Sequence, residues 1–347
     1  MNPFRRSFLR LLATGCAIAS SAPTLALADR IRVLPDGGGD GRVLLGTGRS
    51  AELGRALGGV TLGPATVQGG LAVLWLHAKD TAGGSPLEVL TLDESRARGV
   101  LTVIERAQAS VPELIAENRG KAYVLLLAGE ILIGGKQNRV LREDLLMPPH
   151  SGPRNIGVYC VEQGRWNEGR KDFDSRGSVV QPSVRSQVLR KAEQSRIWSG
   201  VAAASRNLQA PSATGSYQAI YDKPEVKSHL EETTRRFDPA GTATVGAAAF
   251  VGSNLAGVDC FHSPGLFARE WPKLLRAYAL DAYGAKPGAW DESAARARTD
   301  GLLRAAARVE GDLRESVGAG RLFEFTLDGR RGAALLFEGR AIHVAIL

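Results

Sequence analysis

Residues 123–139 read YVLLLAGEILIGGKQNR: an apolar run leads into paired glycines and then four consecutive hydrogen-bonding side chains. Residues 156–166 read IGVYCVEQGRW, a second apolar run that ends in glutamate, arginine and tryptophan. Both runs have the length and the apolar composition of buried strands. We therefore predict two strands whose polar ends surround one recognition site.

The predicted ligand-binding residues lie at these two strand ends. The paired glycines would let the backbone approach a ligand closely, and lysine and arginine side chains contact phosphate or carboxylate groups. The tryptophan could stack on a flat ligand or on the neighbouring arginine, or be buried in the ordinary way. The predicted set is Gly134, Gly135, Lys136, Gln137, Asn138, Arg139, Arg165 and Trp166.

Two carboxylates, Glu130 and Glu162, flank this site and are the candidate catalytic residues. If the strands pair, each could act as a general acid or base, or accept a hydrogen bond from a ribose hydroxyl. They could equally form an ion-pair network with Arg139 and Arg165 that holds the strand ends together, because such networks also occupy carboxylates. Both roles stay open.

Two segments of this sequence match a nucleotide-binding motif only in part. In the segment from Gly129 to Lys136 the second glycine and the lysine are out of register for a phosphate loop, and Gln137 stands where a serine or threonine would bind magnesium. The segment Gly46-Thr47-Gly48 resembles a dinucleotide fingerprint, but the acidic residue that should follow about twenty positions later is missing. We therefore expect neither a phosphate loop nor a Rossmann site.

The other reactive side chains do not form the pattern of a metal site or a nucleophile site. The histidines have no paired spacing and no nearby cysteine pair, so we expect no metal and no cofactor. Cys260 and His262 are too close in one strand for a thiol hydrolase, and no Gly-x-Ser-x-Gly elbow is present. Cys160 and Cys260 fit either a disulfide or two buried thiols. The histidines are His77, His150, His229, His262 and His343.

Composition bounds the size and the class of the protein. The chain has 347 residues, of which 44% are hydrophobic, enough for one large domain or two small ones. Its net charge of +8 could attract anionic ligands. Because the basic residues are spread among acidic neighbours, this charge does not predict nucleic-acid binding. After the N-terminal segment no apolar run reaches the length of a membrane span, and we expect none after signal removal.

Residues 1–28 are predicted to be a signal peptide. Arg5 and Arg6 are followed by Ser-Phe-Leu and then by an apolar stretch, which ends in the small-residue cleavage pattern Ala-Leu-Ala at Ala28. The paired arginines favour a twin-arginine signal over an ordinary secretory one. We therefore expect export to the periplasm or the medium, with cleavage near Ala28.

Residues 29–59 are glycine-rich with little periodicity, which predicts a tether or a peripheral ribbon. In residues 60–347, strand patterns come first, helical patterns next, and then strand pairs separated by helices. This order predicts a single α+β domain with mostly antiparallel sheet and inserted helices.

Several elements of this domain can be placed individually. The clearest helix begins at Pro264, and residues 321–347 read as a strand meander. Residues 184–208 show helical spacing over their whole length. We further expect a helical or turn link at residues 111–118 and a helix over residues 291–317.

The two motifs carry a family resemblance. The first is the segment from Gly129 to Arg139, and the second is Cys160-Val161-Glu162-x-Gly164-Arg165-Trp166. Together with Val258-Asp259-x-Phe261, which leads into a helix containing Trp271 and Tyr278, they resemble the domain family named for its association with ADP-ribosylglycohydrolases and rhodanese-like phosphatases. The resemblance extends from about Val60 to the C-terminus. It implies a place in NAD-derived or ADP-ribose metabolism and carries no established activity.

Three functions stay open on these grounds. The first is an exported binding module for an anionic small molecule, with ADP-ribose-like and nucleotide-like compounds as the leading examples. The second is a hydrolase or transferase that uses Glu130 or Glu162 as base and Arg139 as a clamp. The third is a structural or interaction role in the cell envelope, in which the motifs serve as an internal polar lock.

Overall fold

A computed structural model describes residues 42–79, 87–106, 111–166, 171–239, 241–285 and 290–347, so the predicted signal peptide lies outside the described residues. Within these ranges the strands are β1 (Leu44–Arg49), β2 (Val60–Gln68), β3 (Leu71–Ala78), β4 (Val89–Thr91), β5 (Leu101–Ile104), β6 (Glu113–Asn118), β7 (Tyr123–Leu126), β8 (Ile131–Gly134), β9 (Arg139–Leu141), β10 (Leu145–Met147), β11 (Gly152–Cys160), β12 (Phe173–Asp174), β13 (Thr244–Val251), β14 (Asn254–Phe261), β15 (Glu310–Glu315), β16 (Arg321–Leu327), β17 (Arg330–Phe337) and β18 (Arg340–Ile346). The helices are α1 (Ala51–Gly58), α2 (Leu92–Ala97), α3 (Pro182–Leu189), α4 (Gln194–Asn207), α5 (Gln218–Asp222), α6 (Pro224–Thr234), α7 (Pro264–Ala282) and α8 (Glu292–Ala306).

The largest sheet is antiparallel throughout and has the strand order β1-β15-β16-β17-β18-β14-β13-β3-β2. Successive side chains of a strand point to opposite faces of the sheet. In β3 both sets are buried: Val73 and Trp75 join the core that contains α7, whereas Leu74 and Leu76 join the core that contains α1 and α8. The large sheet therefore separates two hydrophobic cores, and the predicted α+β fold with mostly antiparallel sheet is confirmed.

Two smaller sheets contain the sequence-predicted site. One has the order β12-β8-β9-β11-β6-β5 and is antiparallel, and the other has the order β10-β7-β4, in which β4 and β7 are parallel. The run 123–139 contributes to both sheets, because Gly129, with φ of 93°, turns the chain between β7 and β8. The run 156–161 belongs largely to β11, which pairs with β9.

Three predicted helical stretches differ in the structure. The link expected at residues 111–118 is wrong, because Leu114 and Ala116 alternate with more exposed neighbours and form strand β6. The helix expected over residues 291–317 ends at Ala306. The chain then enters β15, which pairs with β1 on one side and with β16 on the other. The single long helix is two helices, α3 and α4, since Lys191 between them has φ of 52°.

Helix α7 begins as its sequence predicts. Ser263 caps it by accepting a hydrogen bond from the backbone N–H of Leu266, and Pro264 occupies the first turn. The helix packs against the large sheet through Trp271, whose ring meets that of Trp75 edge-on at 5.1 Å between centroids. This packing fixes the direction in which the later turns of α7 present their charged side chains.

A buried charge network joins the large sheet to α3, α7 and the loop after β9. His343 on β18 contacts two carboxylates: Asp144 Oδ2 lies 2.6 Å from its Nδ1, and Asp259 Oδ1 lies 3.0 Å from its Nε2. Asp259 also accepts hydrogen bonds from Arg185 at 2.8 and 3.0 Å and from the Tyr278 hydroxyl at 2.5 Å. None of these five side chains is appreciably exposed.

The two carboxylates hold His343 in its charged form. Burial by itself would lower the pKa of His343, but Asp144 and Asp259 raise it to about 9. For the carboxyl of Asp259 burial acts in the opposite direction and would raise the pKa, yet Arg185 and His343 hold this pKa well below its usual range. The network therefore pairs two carboxylates with two cations inside the core.

We predict that the protein loses stability at alkaline pH when His343 loses its proton. Because the pKa in the folded protein, about 9, lies above the ordinary 6.5, the contribution is complete below pH 6.5 and is lost as the pH rises through 9. The free energy of unfolding, measured by urea denaturation, should fall by on the order of 3 kcal/mol across this window. His343→Gln should be less stable at pH 6 and show a weaker pH dependence. An unchanged pH dependence in this variant would contradict the charged state assigned to His343.

Candidate functional site

The two motif segments identified in the sequence meet in the structure. The backbone N–H of Asn138 donates to Glu162 Oε2 at 3.0 Å. The guanidinium of Arg165 donates to the carbonyl oxygens of Gly135 at 2.9 Å and of Gly134 at 3.1 Å. The turn between β8 and β9 is therefore bound directly to the segment that follows β11.

Most polar groups of this junction bond to each other. Arg165 Nη2 lies 2.7 Å from Glu162 Oε2, and the hydroxyl of Thr214 donates to Glu162 Oε1 at 2.8 Å. Burial would raise the pKa of Glu162, but the hydrogen bonds from Arg165, the Asn138 N–H and Thr214 lower it. Asn138 Nδ2 donates to the Ser216 hydroxyl at 3.1 Å. Glu162, Arg165 and Asn138 therefore act together as a polar lock between three chain segments.

The paired glycines of the turn are required by their surroundings. Gly134 has φ of 138° and Gly135 has φ of 49°, and residues that carry a side chain rarely adopt either backbone conformation. A Cβ at Gly135 would lie 2.2 Å from the ring of Phe173, and one at Gly134 would lie 2.3 Å from the Asp172 carbonyl oxygen. The close backbone approach that these glycines permit is thus to the chain's own strand β12.

Arg139 lies beneath the lock and is completely buried. Its Nη1 donates to the backbone oxygen of Gln137 at 3.2 Å and to the Gln137 side-chain oxygen at 3.0 Å. Arg139 Nη2 lies 3.8 Å from Glu105 Oε1. The thiol of Cys160 donates to the side-chain oxygen of Gln137 at 3.2 Å. Burial lowers the pKa of Arg139 in spite of these neighbours.

The outer edge of the junction is formed by Lys136 and Trp166. The ammonium group of Lys136 lies 5.0 Å from the centre of the Trp166 ring, a cation–π contact. Trp166 is 49% exposed, so its indole does not fill a core. Of the predicted ligand-binding side chains, Trp166 is exposed, Lys136 and Arg165 are partly exposed, and the others are buried.

Glu130 faces a different environment from Glu162. It is 1% exposed, accepts a hydrogen bond from the backbone N–H of Leu127 at 2.7 Å, and forms an ion pair with Lys273 of α7. Burial raises the pKa of Glu130 to about 8 against the opposing effect of Lys273, and Glu270 adds to the rise. The two candidate catalytic carboxylates therefore do not converge on one point.

A concavity of about 880 Å³ lies elsewhere, between α5, α6, α7 and the chain at residues 176–178. Cavities of this size suit drug-sized or nucleotide-sized ligands. Its charged lining comprises four cations and two carboxylates: Arg176, Lys227, Arg235, Arg276, Asp222 and Glu231. The cations exceed the carboxylates by two.

The floor of this cavity carries one unpaired acceptor. Gln218 is 5% exposed; its Nε2 donates to Asp222 Oδ1 at 3.1 Å, which fixes the orientation of the amide. Its Oε1 has no hydrogen-bond partner among the described residues. Beside it lies the ring of Tyr221, over which the guanidinium of Arg276 stands at 5.9 Å.

Sequence reasoning did not identify this cavity, although one signal was present. Lys227, Leu230, Glu231, Thr234 and Arg235 follow the spacing of one helix face and all line it. A face of mixed polar and apolar residues ordinarily indicates a solvated helix surface. Only the position of α7 turns this face into the wall of a cavity.

The cavity adjoins the buried cluster around Lys273. Arg276, one turn along α7 from Lys273, donates to the carbonyl oxygen of Gly177 and lowers the pKa of Asp93 together with Lys273, against burial. Lys273 lies 3.2 Å from Asp93, and the hydroxyl of Ser175 donates to Asp93 at 2.6 Å. Asp93 is thus the partly exposed end of the cluster.

The described residues contain no group of three or more histidine, cysteine, aspartate and glutamate side chains placed to hold a metal ion. None of the helices in the described part of the chain has the length and apolarity that crossing a lipid bilayer requires.

Cys160 and Cys260 are both buried free thiols. Burial and the nearby Asp259 raise the pKa of Cys260 to about 12, so this thiol stays protonated beside His262.

Residues 59–347 match the sequence profile of the ARG and Rhodanese-Phosphatase-superfamily-associated Protein domain, ARPP-1. The chain belongs to the ARPP-1 family. The family resemblance seen in the two motifs is thereby confirmed. No curated protein matches this ARPP-1 chain, and no solved structure does. Strand β1 and helix α1 precede the matched span, yet β1 pairs with β15 and α1 packs on α8 of the ARPP-1 domain.

We predict that Glu162→Gln loosens the polar lock of the ARPP-1 domain. The neutral amide keeps one acceptor oxygen but loses the charge-assisted contacts with Arg165 and the Asn138 N–H, at a cost of about 1.5–3 kcal/mol. Hydrogen exchange should accelerate at the Asn138 amide, and the midpoint of urea denaturation should fall. The matched control is Glu310→Gln, since Glu310 is 72% exposed and lies 4.0 Å from Arg49. Equal effects of the two substitutions would argue against the lock.

Proposed function

We propose that this protein binds an anionic small molecule in the cavity between α5, α6 and α7. The observation that carries the proposal is an excess of cations in a cavity of about 880 Å³. Lys227 and Arg235 are exposed at its rim, where their charges can meet a phosphate or carboxylate group. Arg276 lies deeper, over Tyr221, where it can contact the same ligand.

The chemistry of the floor suggests what else the ligand carries. A flat group can lie against Tyr221, and the polar side chains of Ser178 and Thr234 in the lining can bond to hydroxyl or amino groups. ADP-ribose and related nucleotides combine these features: phosphate, ribose hydroxyls and a flat base. The association in the family's own name, with ADP-ribosylglycohydrolase proteins, supports the same class.

The junction between the two motifs supports a structural role. Glu162 and Arg165 already have partners, and Arg139 is completely buried. That the motif residues bind the ligand directly stays a prediction, and Trp166 is the exposed one among them. We propose no catalytic step, because Glu130 and Glu162 are both buried and hydrogen-bonded within the chain.

We further propose that the protein is exported by its twin-arginine signal. The support is the sequence alone: Arg5 and Arg6, the apolar stretch after them and the small residues that end at Ala28. An exported ARPP-1 domain would meet anionic metabolites outside the cytoplasm.

The binding proposal predicts that reversing two rim charges weakens the affinity for ADP-ribose. The double variant Lys227→Glu with Arg235→Glu should raise the Kd, measured by calorimetry, about tenfold or more. The matched control is Arg304→Glu with Arg308→Glu: it makes the same change of net charge on exposed positions at and after the C-terminal end of α8, on the other side of the large sheet. If both double variants weaken binding equally, the attraction is not local to the cavity. The proposal is wrong if ADP-ribose, NAD and sugar phosphates at millimolar concentration leave the melting temperature of the parent protein unchanged.

The export proposal predicts that Arg5→Lys with Arg6→Lys leaves the full-length precursor in the cytoplasm. The paired arginines are the feature that distinguishes this signal from an ordinary secretory one, so Arg10→Lys serves as the control and should be exported normally. Cell fractionation and N-terminal sequencing check both results. Normal export of the paired variant, with cleavage near Ala28, would show an ordinary secretory route.

A further inference from the structure

A second, smaller cavity of about 260 Å³ lies on the opposite face of the large sheet, between α1 and strands β14 and β18. Its walls are partly apolar, and Val245, Cys260 and Val344 belong to the core on that face. The larger cavity of about 880 Å³ lies against α7, in the other core. The two cavities are therefore separated by the sheet itself.

The charged lining of this second cavity favours an anion. Arg55 of α1 and Arg340 of β18 both line it. Arg55 Nη2 donates to the Gly339 carbonyl oxygen at 3.0 Å, which directs its guanidinium toward the turn before β18. The carboxylate in the lining, Glu52, accepts from the Ser50 hydroxyl and lies 2.8 Å from Arg321. Its charge is therefore offset by Arg321, outside the lining, and by Arg55 within it.

His262 supplies an independent sign of a missing partner. The residue lines the cavity, and its buried Nδ1 has no hydrogen-bond partner among the described residues. Its backbone N–H donates to the Ile342 carbonyl oxygen at 3.0 Å, and a hydrogen-bond interaction with the Ile342 backbone also acts on the ring, where it favours the protonated form. A buried ring nitrogen without a partner is costly unless a ligand or a water satisfies it.

The surroundings of His262 are cationic from several directions. Burial, and then Arg340 and Arg269, lower the pKa of His262 to about 4. The charged groups that face it come from β18, α7 and α1: Arg340, Arg269, Arg55 and Glu52. A bound anion would reverse this balance, because a negative charge favours the imidazolium. The Cys260 thiol, whose pKa burial raises to about 12, would remain neutral and would not repel it.

We infer that this cavity is a binding site for a small oxyanion, held by Arg55 and Arg340 beside the imidazole of His262. A volume of about 260 Å³ accommodates one phosphate, sulfate or carboxylate group and is smaller than the usual range for drug-sized ligands. The inference does not depend on the function proposed for the larger cavity.

Such an anion would also connect two parts of the chain. Arg55 belongs to α1, which precedes the span shared with the ARPP-1 family, whereas His262 and Arg340 lie within that span. An oxyanion between them would bind α1 more firmly to the sheet. Ligand binding to the folded state alone raises the melting temperature.

Inorganic phosphate and sulfate are the probes, and the His262 ring resonances in NMR spectra are the readout. We expect either anion to shift these resonances saturably with a Kd on the order of 1 mM, and to raise the pKa of His262 by about one unit or more. Sulfate does not titrate between pH 4 and about 7, so its effect isolates the response of His262. By linkage, the anion should bind about tenfold more tightly to the protonated ring for each unit by which the pKa rises.

Three variants complete the experiment. Arg340→Gln should abolish the response of His262, and the exposed control Arg308→Gln should keep it. Lys227→Glu with Arg235→Glu, which alters the larger cavity, should also leave it intact. Unchanged His262 resonances at phosphate and sulfate concentrations of about 20 mM, roughly twenty times the expected Kd, would overturn the inference. So would an anion response that survives in Arg340→Gln.

Discussion

The charge on His343 cannot remain uncompensated in the core, and this constraint connects the two layers of the domain. Asp144 follows β9 in the layer of the smaller sheets, and Asp259 belongs to β14 of the large sheet, so one imidazolium links both layers. Removing one partner from a buried ion pair typically costs about 3–5 kcal/mol, because the other charge is left unpaired. The two layers are therefore held in one relative position by electrostatics as well as by apolar packing.

The same network positions the motif segments. The backbone N–H of Ala128 donates to Asp144 Oδ1 at 2.8 Å, and its carbonyl oxygen accepts from Arg185 Nε at 2.8 Å. Ala128 immediately precedes the turn at Gly129, where the chain passes from β7 into β8. The turn thus directs Glu130 toward α7 and leads the chain on to the polar lock at Glu162 and Arg165.

The cavity beside α7 shares its electrostatics with the core. Lys273 faces three carboxylates, Glu130, Glu270 and Asp93, and one cation cannot neutralise all three. Burial raises the pKa of Glu130 against the effect of Lys273, so uptake of a proton by Glu130 would reduce this imbalance. Arg276 offsets the charge of Asp93 from the cavity side. The positive potential that the cavity can offer to a ligand is therefore set in part by the protonation of carboxylates that no ligand touches.

Local patterns were sufficient to predict the fold class, the start of α7 and the meeting of the two motif segments. They failed at β6, where the alternation of Leu114 and Ala116 was not recognised. They also could not place the buried networks: His343 is 199 residues from Asp144, and Lys273 is 143 residues from Glu130, so no spacing relates them. Both cavities likewise arise from helices and strands that are adjacent only in the folded chain.

The pairing of β1 with β15 affects how the protein is made. Thr47 and Asp312, which face each other across this pair, are 265 residues apart. A chain that leaves the ribosome N-terminus first must therefore present β1 and the apolar β3 long before their partners β15 and β13 exist. Pairings between such distant segments slow folding, and unpaired apolar strands aggregate in the meantime. Strand β2 precedes β3 and can pair with one of its edges at once, but the other edge stays open until β13 has been made.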